Sequence, residues 1–273
     1  MNRFVSRSVC ITAVITLCLI TAAAQKSDRG SLNCRNQDNY GDRLVGKCEI
    51  REQTLAAGGA ISVDGRQNGG VSIRGWDQNQ VLVRARVQTG ASTESEADAL
   101  AKQITIETSG NKILANGPEQ QRNAHWDVSY EVFVPKRSDV SIETHNGGIV
   151  VNDVNGRIEF NAVNGGVVLK KVGGTVRGGT TNGGLVVELT GDHWEGDTLD
   201  VHTTNGGVVM SLPENYSAHL ETGTVNGGLV VDFPVNLPEK SREVSFNIGA
   251  GGPTLRAMTT NGGVRIKRAG SSE

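Results

Sequence analysis

Aromatic residues make up only 4% of this 273-residue sequence, a scarcity that speaks against the sugar-stacking cleft of a glycan-cleaving enzyme. No block of Lys or Arg occurs that could track a phosphate backbone, which excludes nucleic acid as a partner. Long apolar runs are missing beyond Val9 to Ile20. That run of about twelve residues, rising about 1.5 Å each, reaches about 18 Å and falls short of a hydrocarbon core of about 30 Å, so no permanent transmembrane anchor is expected. Cysteine is sparse, with four in all, and Cys10 and Cys18 fall in or beside this leading stretch.

Arg3 and Arg7 precede the apolar run and Ala22-Ala23-Ala24 follow it, the arrangement of a secretory signal peptide over residues 1–24. Leu17 stands where a lipidated Cys18 would need a small residue, which disfavours a lipid anchor. Cleavage after Ala24 removes two of the 27 Lys and Arg and none of the 29 Asp and Glu, so the mature net charge is 25 − 29 = −4. Cys34 and Cys48 are then the only thiols in an exported chain and are expected to pair. Such a loop contributes about 3 kcal/mol in the chain-entropy model and would hold a polar, aperiodic leader at residues 25–48. With no third Cys or nearby His, a metal pair is disfavoured.

From Glu49 the pattern is β. In "VLVRARV", Val81, Val83, Ala85 and Val87 share one face, and "WDVSYEVFVP" alternates Trp126, Val128, Tyr130, Val132 and Val134 before Pro135. Trp126 and Tyr130 share the apolar parity and read as core. Between these strands, Thr93 and Glu96 form a capping box, and Ala97, Leu100, Ala101 and Ile104 recur at helical spacing, predicting one short helix over residues 93–104. The N-terminal β region is thus assigned to residues 49–135.

Residues 136–268 are repeats. Asn-Gly-Gly begins at Asn146, Asn164, Asn182, Asn205, Asn226 and Asn261, with spacings of 18, 18, 23, 21 and 35, after a first instance at Asn68. Counting Asn as zero, position −6 is always aliphatic (Val140, Ile158, Val176, Leu199, Leu220, Leu255), as is +3 (Ile149, Val167, Leu185, Val208, Leu229, Val264). Position +5 follows suit, and −4 is looser, with Ile142, Phe160, Gly178, Val201, Thr222 and Ala257. A fixed period with a period-two apolar face predicts an all-β solenoid, a single-stranded β-helix-like stack of coils of about 18 residues. An antiparallel β meander shows the same parity and remains the alternative. A tail, 269–273, follows.

The Asn-Gly pairs read as a structural turn ladder: Asn146-Gly147, Asn164-Gly165, Asn182-Gly183, Asn205-Gly206, Asn226-Gly227 and Asn261-Gly262. Asn tolerates the left-handed conformation, Gly accepts positive φ, and stacked Asn amides can hydrogen-bond from rung to rung.

"ISVDGRQNGGVSIRGWDQNQVLVRARV", the helix, "WDVSYEVFVPKRSDVSIETHNGGIVV" and the later Asn-Gly-Gly segments resemble the adhesin-like family of β-strand-repeat domains of unknown function, over about Glu49 to Lys267. The resemblance implies a β-solenoid in an exported bacterial protein. The family offers no catalytic residues to carry over.

Calcium nonapeptide repeats need Gly-Gly-x-Gly-x-Asp, whereas Gly-Gly here precedes Val, Ile or Leu. The loop "GDHWEGDTLD" gathers Asp192, His193, Glu195, Asp197 and Asp200, yet reads as a solvated insertion. Asp192 and Glu195 are the one attractive carboxylate pair for a glycosidase. His125, His145, His193, His202 and His219 fall at unrelated repeat positions and build no metal ladder. No cofactor, metal or catalytic residue is therefore expected.

The outside of the repeats is the candidate binding face. Position +4 reads Val150, Val168, Val186, Val209 and Val230, with Arg265 in the last copy as a polar terminal rung; position −2 adds Thr180 and Thr203 among its threonines. A continuous exposed apolar stripe marks a contact surface. The expected function is a non-catalytic exported β-solenoid, periplasmic, surface-borne or secreted, that presents this face to an envelope protein or polysaccharide. The alternatives are a carbohydrate-active enzyme on a β-helix, or a structural or stress-sensing envelope protein.

Overall fold

The structure is a computed structural model and describes residues 32–34, 44–235 and 241–270. The signal peptide 1–24, most of the leader 25–48 and residues 271–273 of the tail lie outside the described residues. Cys34 and Cys48 are joined by a disulfide with their Cα atoms 5.7 Å apart.

Among the described residues the strands are interrupted by one α-helix and one short 3-10 turn: β1 (Val45–Ala56), β2 (Ile61–Asp64), β3 (Val71–Trp76), β4 (Gln80–Ala91), helix α1 (Glu94–Gln103), β5 (Thr105–Glu107), the 3-10 turn (Ser109–Asn111), β6 (Lys112–Asn116) and β7 (Ala124–Pro135). The repeats supply β8 (Val140–Thr144), β9 (Ile149–Asn152), β10 (Asn155–Asn164), β11 (Val167–Lys170), β12 (Gly173–Asn182), β13 (Leu185–Glu188), β14 (Thr198–Asn205) and β15 (Val208–Leu212). The chain then runs through β16 (Ala218–Asn226), β17 (Leu229–Val231), β18 (Glu243–Ile248), β19 (Thr254–Asn261) and β20 (Val264–Arg268).

These strands form two ten-stranded sheets, one ordered β1-β4-β7-β3-β9-β11-β13-β15-β20-β17 and the other β18-β16-β19-β14-β12-β10-β8-β2-β6-β5. The all-β expectation holds; the closed solenoid does not. β1, β4 and β7 pair antiparallel, as do β5 with β6 and β16 with β18, so both sheets are mixed. The last repeat, β19 and β20, is threaded between the fourth and fifth repeats instead of following them. An antiparallel meander is also ruled out for the repeats, because strands such as β10 and β12, or β11 and β13, pair parallel. Apolar parity dictates which side chains face inward but says nothing about the direction of a neighbouring strand, and this is why the sequence pattern fits several topologies.

Parallel pairing in register places equivalent repeat positions side by side. Val140, Ile158, Val176, Leu199, Leu255 and Leu220 form one buried row, and Ile149, Val167, Leu185, Val208 and Val264 another. Where a row changes size, its neighbour compensates: a Cβ at Gly178 would lie 2.7 Å from the Phe160 ring, so Phe160 occupies the volume that Gly178 leaves.

Helix α1 packs Ala97, Leu100 and Ala101 against β1 and β4 at the antiparallel end. Its start is fixed by the capping box, with the Glu96 N–H donating to Thr93 Oγ1 and the Thr93 N–H to Glu96 Oε2. At its other end Arg51 donates through Nη2 to the Ala101 carbonyl at 2.7 Å, a cation placed on the unsatisfied carbonyls of the last turn.

The first glycine of each Asn-Gly-Gly is where the coils touch. A Cβ at Gly165 would stand 2.2 Å from the Gly147 oxygen, one at Gly183 2.1 Å from Gly165 O, and one at Gly206 2.1 Å from Gly183 O. The second glycine is far less constrained; a Cβ at Gly184 meets nothing closer than 3.7 Å. Gly183→Ala is therefore expected to cost at least about 2 kcal/mol or to prevent folding, whereas Gly184→Ala should change stability by less than about 1 kcal/mol, as checked by urea denaturation of the two variants.

Tyr130 is fully buried, and its hydroxyl has no hydrogen-bond partner among the described residues. Burial pushes its pKa, and that of Tyr216, up from the ordinary value of 10.0. Below that value both the folded and unfolded chains keep the proton. Above it only the unfolded chain ionises readily, so stability falls as pH rises. Melting temperature is expected to drop from about pH 10 upward, and Tyr130→Phe should lessen that drop while costing little at neutral pH, because no hydrogen bond is lost.

Candidate binding face

Register carries one outward row across the whole first sheet: Glu52, Arg84, Glu131, Ser72, Val150, Val168, Val186, Val209, Arg265 and Val230. Its two halves differ in chemistry. In the antiparallel half Glu131 is only 1% exposed, with Arg84 Nη1 at 2.6 Å from Oε2 and Arg74 Nε at 3.1 Å from Oε1. Arg84 also pairs with Glu52 at 2.8 Å. Burial opposes the Arg84 charge, but its hydrogen bonds to Glu52 and Glu131 outweigh this and raise its pKa above the usual value.

In the parallel half the row is valine. Val150 and Val230 are exposed at 36% and 50%, and Val168, Val186 and Val209 are half-buried but outward. Arg265 is not the terminal rung that its sequence position suggests. It lies between Val209 and Val230 because the last repeat is inserted there, and it pairs with Asp232 at 3.2 Å.

Beside the valines runs an exposed line of second glycines, Gly148, Gly166, Gly184, Gly207, Gly263 and Gly228, and beyond it the asparagines. Each asparagine Nδ2 donates to the Oδ1 of its neighbour, from Asn146 to Asn68 at 3.0 Å, then Asn164 to Asn146, Asn182 to Asn164, Asn205 to Asn182, Asn261 to Asn205 and Asn226 to Asn261, each at 2.8 Å. Gly147, Gly165, Gly183, Gly206, Gly227 and Gly262 follow these asparagines. The reason for the motif is not the left-handed turn expected from sequence. None of the seven asparagines has positive φ, and of the first glycines only Gly262 does, at 155°. In the repeats left-handed residues sit instead at the opposite corner, at Asp153 (φ 59°) and Lys171 (φ 49°), and only beside Asn68 does the asparagine turn hold one, Arg66 (φ 54°).

Thr180 and Thr203 do not belong to this face. They are 2% and 1% exposed, and their hydroxyls donate to Gly165 O at 2.7 Å and Gly183 O at 2.8 Å. Thr259 and Thr224 do the same toward Gly206 and Gly262. The rung with Ala162 lacks this donor, and there Thr144 donates to Gly147 O within its own turn. Position −2 thus serves the close turn-to-turn contact and leaves nothing for a ligand.

The outer face of the second sheet is chemically different. Register lines up Glu159, Arg177, Asp200, Arg256 and Glu221, alternating in sign on adjacent strands. Opposite charges facing one another across strands satisfy a solvated face. The acidic loop is anchored by Trp194, 2% exposed, whose Nε1 donates to Gly174 O at 3.1 Å. Asp192 Oδ1 sits 2.5 Å from His193 Nδ1, and Glu195 Oε2 accepts from Asn155 Nδ2 at 3.4 Å. His219 is engaged by Asn247 and Ser245. Among the described residues no group of three or more His, Cys, Asp or Glu is placed to hold a metal ion.

No family model matches the chain, and no curated protein does. In backbone shape it is similar to a "putative cell adhesion protein" of Clostridium sporogenes, 9% identical, with a TM-score of 0.47 over 81% of this chain and 100% of the other. It is similar also to a "putative adhesin" of Bacteroides fragilis (10% identical, TM-score 0.29, 81% and 97% covered) and a "putative lipid binding protein" of Parabacteroides distasonis (12% identical, TM-score 0.29, 80% and 96% covered). Likeness at this level fixes neither a family nor a ligand.

Thr203→Val keeps the shape of the side chain and removes its hydrogen bond to Gly183 O. Leaving a partly buried carbonyl without that donor is expected to cost about 1–2 kcal/mol, measurable by denaturant titration, with no effect on any binding by the valine row.

Proposed function

We propose that the chain is a non-catalytic binding protein of the cell envelope or surface, and that the valine-bearing outer face of the first sheet is its contact surface. The observation that supports this reading is the contrast between the two sheet faces. One carries a row of charges alternating in sign and suited to water; the other carries outward valines in register on β9, β11, β13, β15 and β17. Apolar side chains aligned on an open face lose contact with water when a partner covers them. The disulfide fits an oxidising compartment, and export rests on the signal peptide expected over residues 1–24. Among the described residues no helix is long and apolar enough to cross a membrane.

The test is cosedimentation of the mature chain with an envelope fraction from the cell that makes it. Val168→Lys with Val186→Lys should leave melting within about 0.5 kcal/mol of wild type, because both side chains point outward, and should abolish cosedimentation. Arg177→Glu on the other face should leave it intact. Val187→Lys, one residue along and fully buried, should destabilise by several kcal/mol. Unchanged cosedimentation by the folded double-lysine variant would remove the valine face from the function.

A further inference from the structure

A cleft of about 360 Å³ opens where the asparagine ladder meets the antiparallel end of the molecule, bounded by the turn after β2, the end of β6 and the start of β7. Its volume is at the small end of the about 300–1,000 Å³ typical of ligand sites. We propose that this cleft is a binding subsite for a neutral saccharide unit.

Three of its polar side chains, those of Asn68, Gln120 and Arg66, are held in place by hydrogen bonds and leave a further atom unengaged among the described residues. Asn68 Oδ1 accepts from Asn146, the last bond of the ladder, so Asn68 Nδ2 has no further neighbour to serve. Gln120 donates through Nε2 to the Trp126 carbonyl at 2.9 Å, and its Oε1 remains an acceptor. Arg66 donates through Nε to Ala115 O at 3.3 Å and through Nη2 to Asn116 Oδ1 at 3.0 Å, leaving Nη1. Its backbone is fixed as well, with φ at 54° and its N–H donating to Asp64 Oδ1 at 2.7 Å. A donor amide, an acceptor amide and a guanidinium fixed around one cleft match the mixed donor and acceptor character of sugar hydroxyls, and side chains already tethered lose little freedom on binding.

The fourth element is apolar. Trp126 lines the cleft, and its indole is held by the bond from Nε1 to Pro118 O at 2.8 Å and by Gly117, where a Cβ would lie 2.8 Å from the ring. A fixed indole offers a flat surface to the C–H face of a pyranose. Arg66 is paired with Asp64, Nε to Oδ2 at 3.7 Å, and Asp127 is the other charged residue of the lining, an arrangement that favours an uncharged ligand over an anionic one. The cleft shares no residue with the valine row, so the inference does not depend on that face.

The test uses the full mature chain and three probes, maltotriose, cellotriose and tri-N-acetylchitotriose, titrated to millimolar concentration while saturation-transfer NMR reports contact. Saturable binding of at least one is expected. Gln120→Ala and Asn68→Ala, which remove exposed side chains, should each weaken it about tenfold, the equivalent of one hydrogen bond. Trp126→Phe, which keeps a core aromatic, should weaken it as well, and the Val168→Lys with Val186→Lys variant should bind as wild type. The inference is overturned if none of the three binds, if Gln120→Ala and Asn68→Ala bind undiminished, or if a hexose phosphate binds more tightly than the neutral probes.

Discussion

Everything in the repeat half depends on how closely one turn lies on the next. With the Gly147 oxygen standing where a Cβ at Gly165 would be, and the same relation recurring at Gly183 and Gly206, the backbones approach to a distance that no side chain permits. That approach sets the register. Once the turns are stacked, the asparagine amides fall within hydrogen-bond reach, the threonine hydroxyls find the glycine carbonyls, and the aliphatic rows align across the sheets.

Much of this was legible in the sequence, though not for the reasons first apparent. The aliphatic residues at −6, +3 and +5 mark buried positions because a strand that faces a core on one side must alternate. Thr93 and Glu96 mark the helix start because their chemistry is local and complete within four residues. Strand direction was not legible, because it is set by which segments come together across the chain. The antiparallel β1, β4 and β7 follow the same parity as the parallel repeats. The glycines are visible in sequence, but the sequence alone suggests a turn conformation as their purpose, whereas steric proximity between coils is a tertiary fact.

On the candidate face, parity marks the valines at +4 as outward, and it also places Thr180 and Thr203 inside, because position −2 continues the period-two set of −6 and −4. Grouping these threonines with the outer face overlooks that parity; they lie inside and complete the hydrogen bonding of the glycine carbonyls. The cleft around Trp126 was hidden for a different reason. Asn68, Gln120 and Trp126 are spread over nearly sixty positions, each unremarkable alone, and only the pairing of β2 with β6 and of β3 with β7 brings them to one place.

The threading of the last repeat bears on how the protein can be assembled. β16 and β17 are made before β19 and β20, yet they sit beyond them in both sheets. Before the last repeat arrives, the fifth is tied to the fourth through Ser217, which bridges to His193 and whose N–H donates to Asp192 O at 2.7 Å, and direct pairing of β16 with β14 would close the site that β19 must later enter. Addition of one coil after another in sequence order therefore does not describe this end of the fold. β19 and β20 must enter between strands made before them, a step whose rate is set by the search of β19 for its slot beside β14.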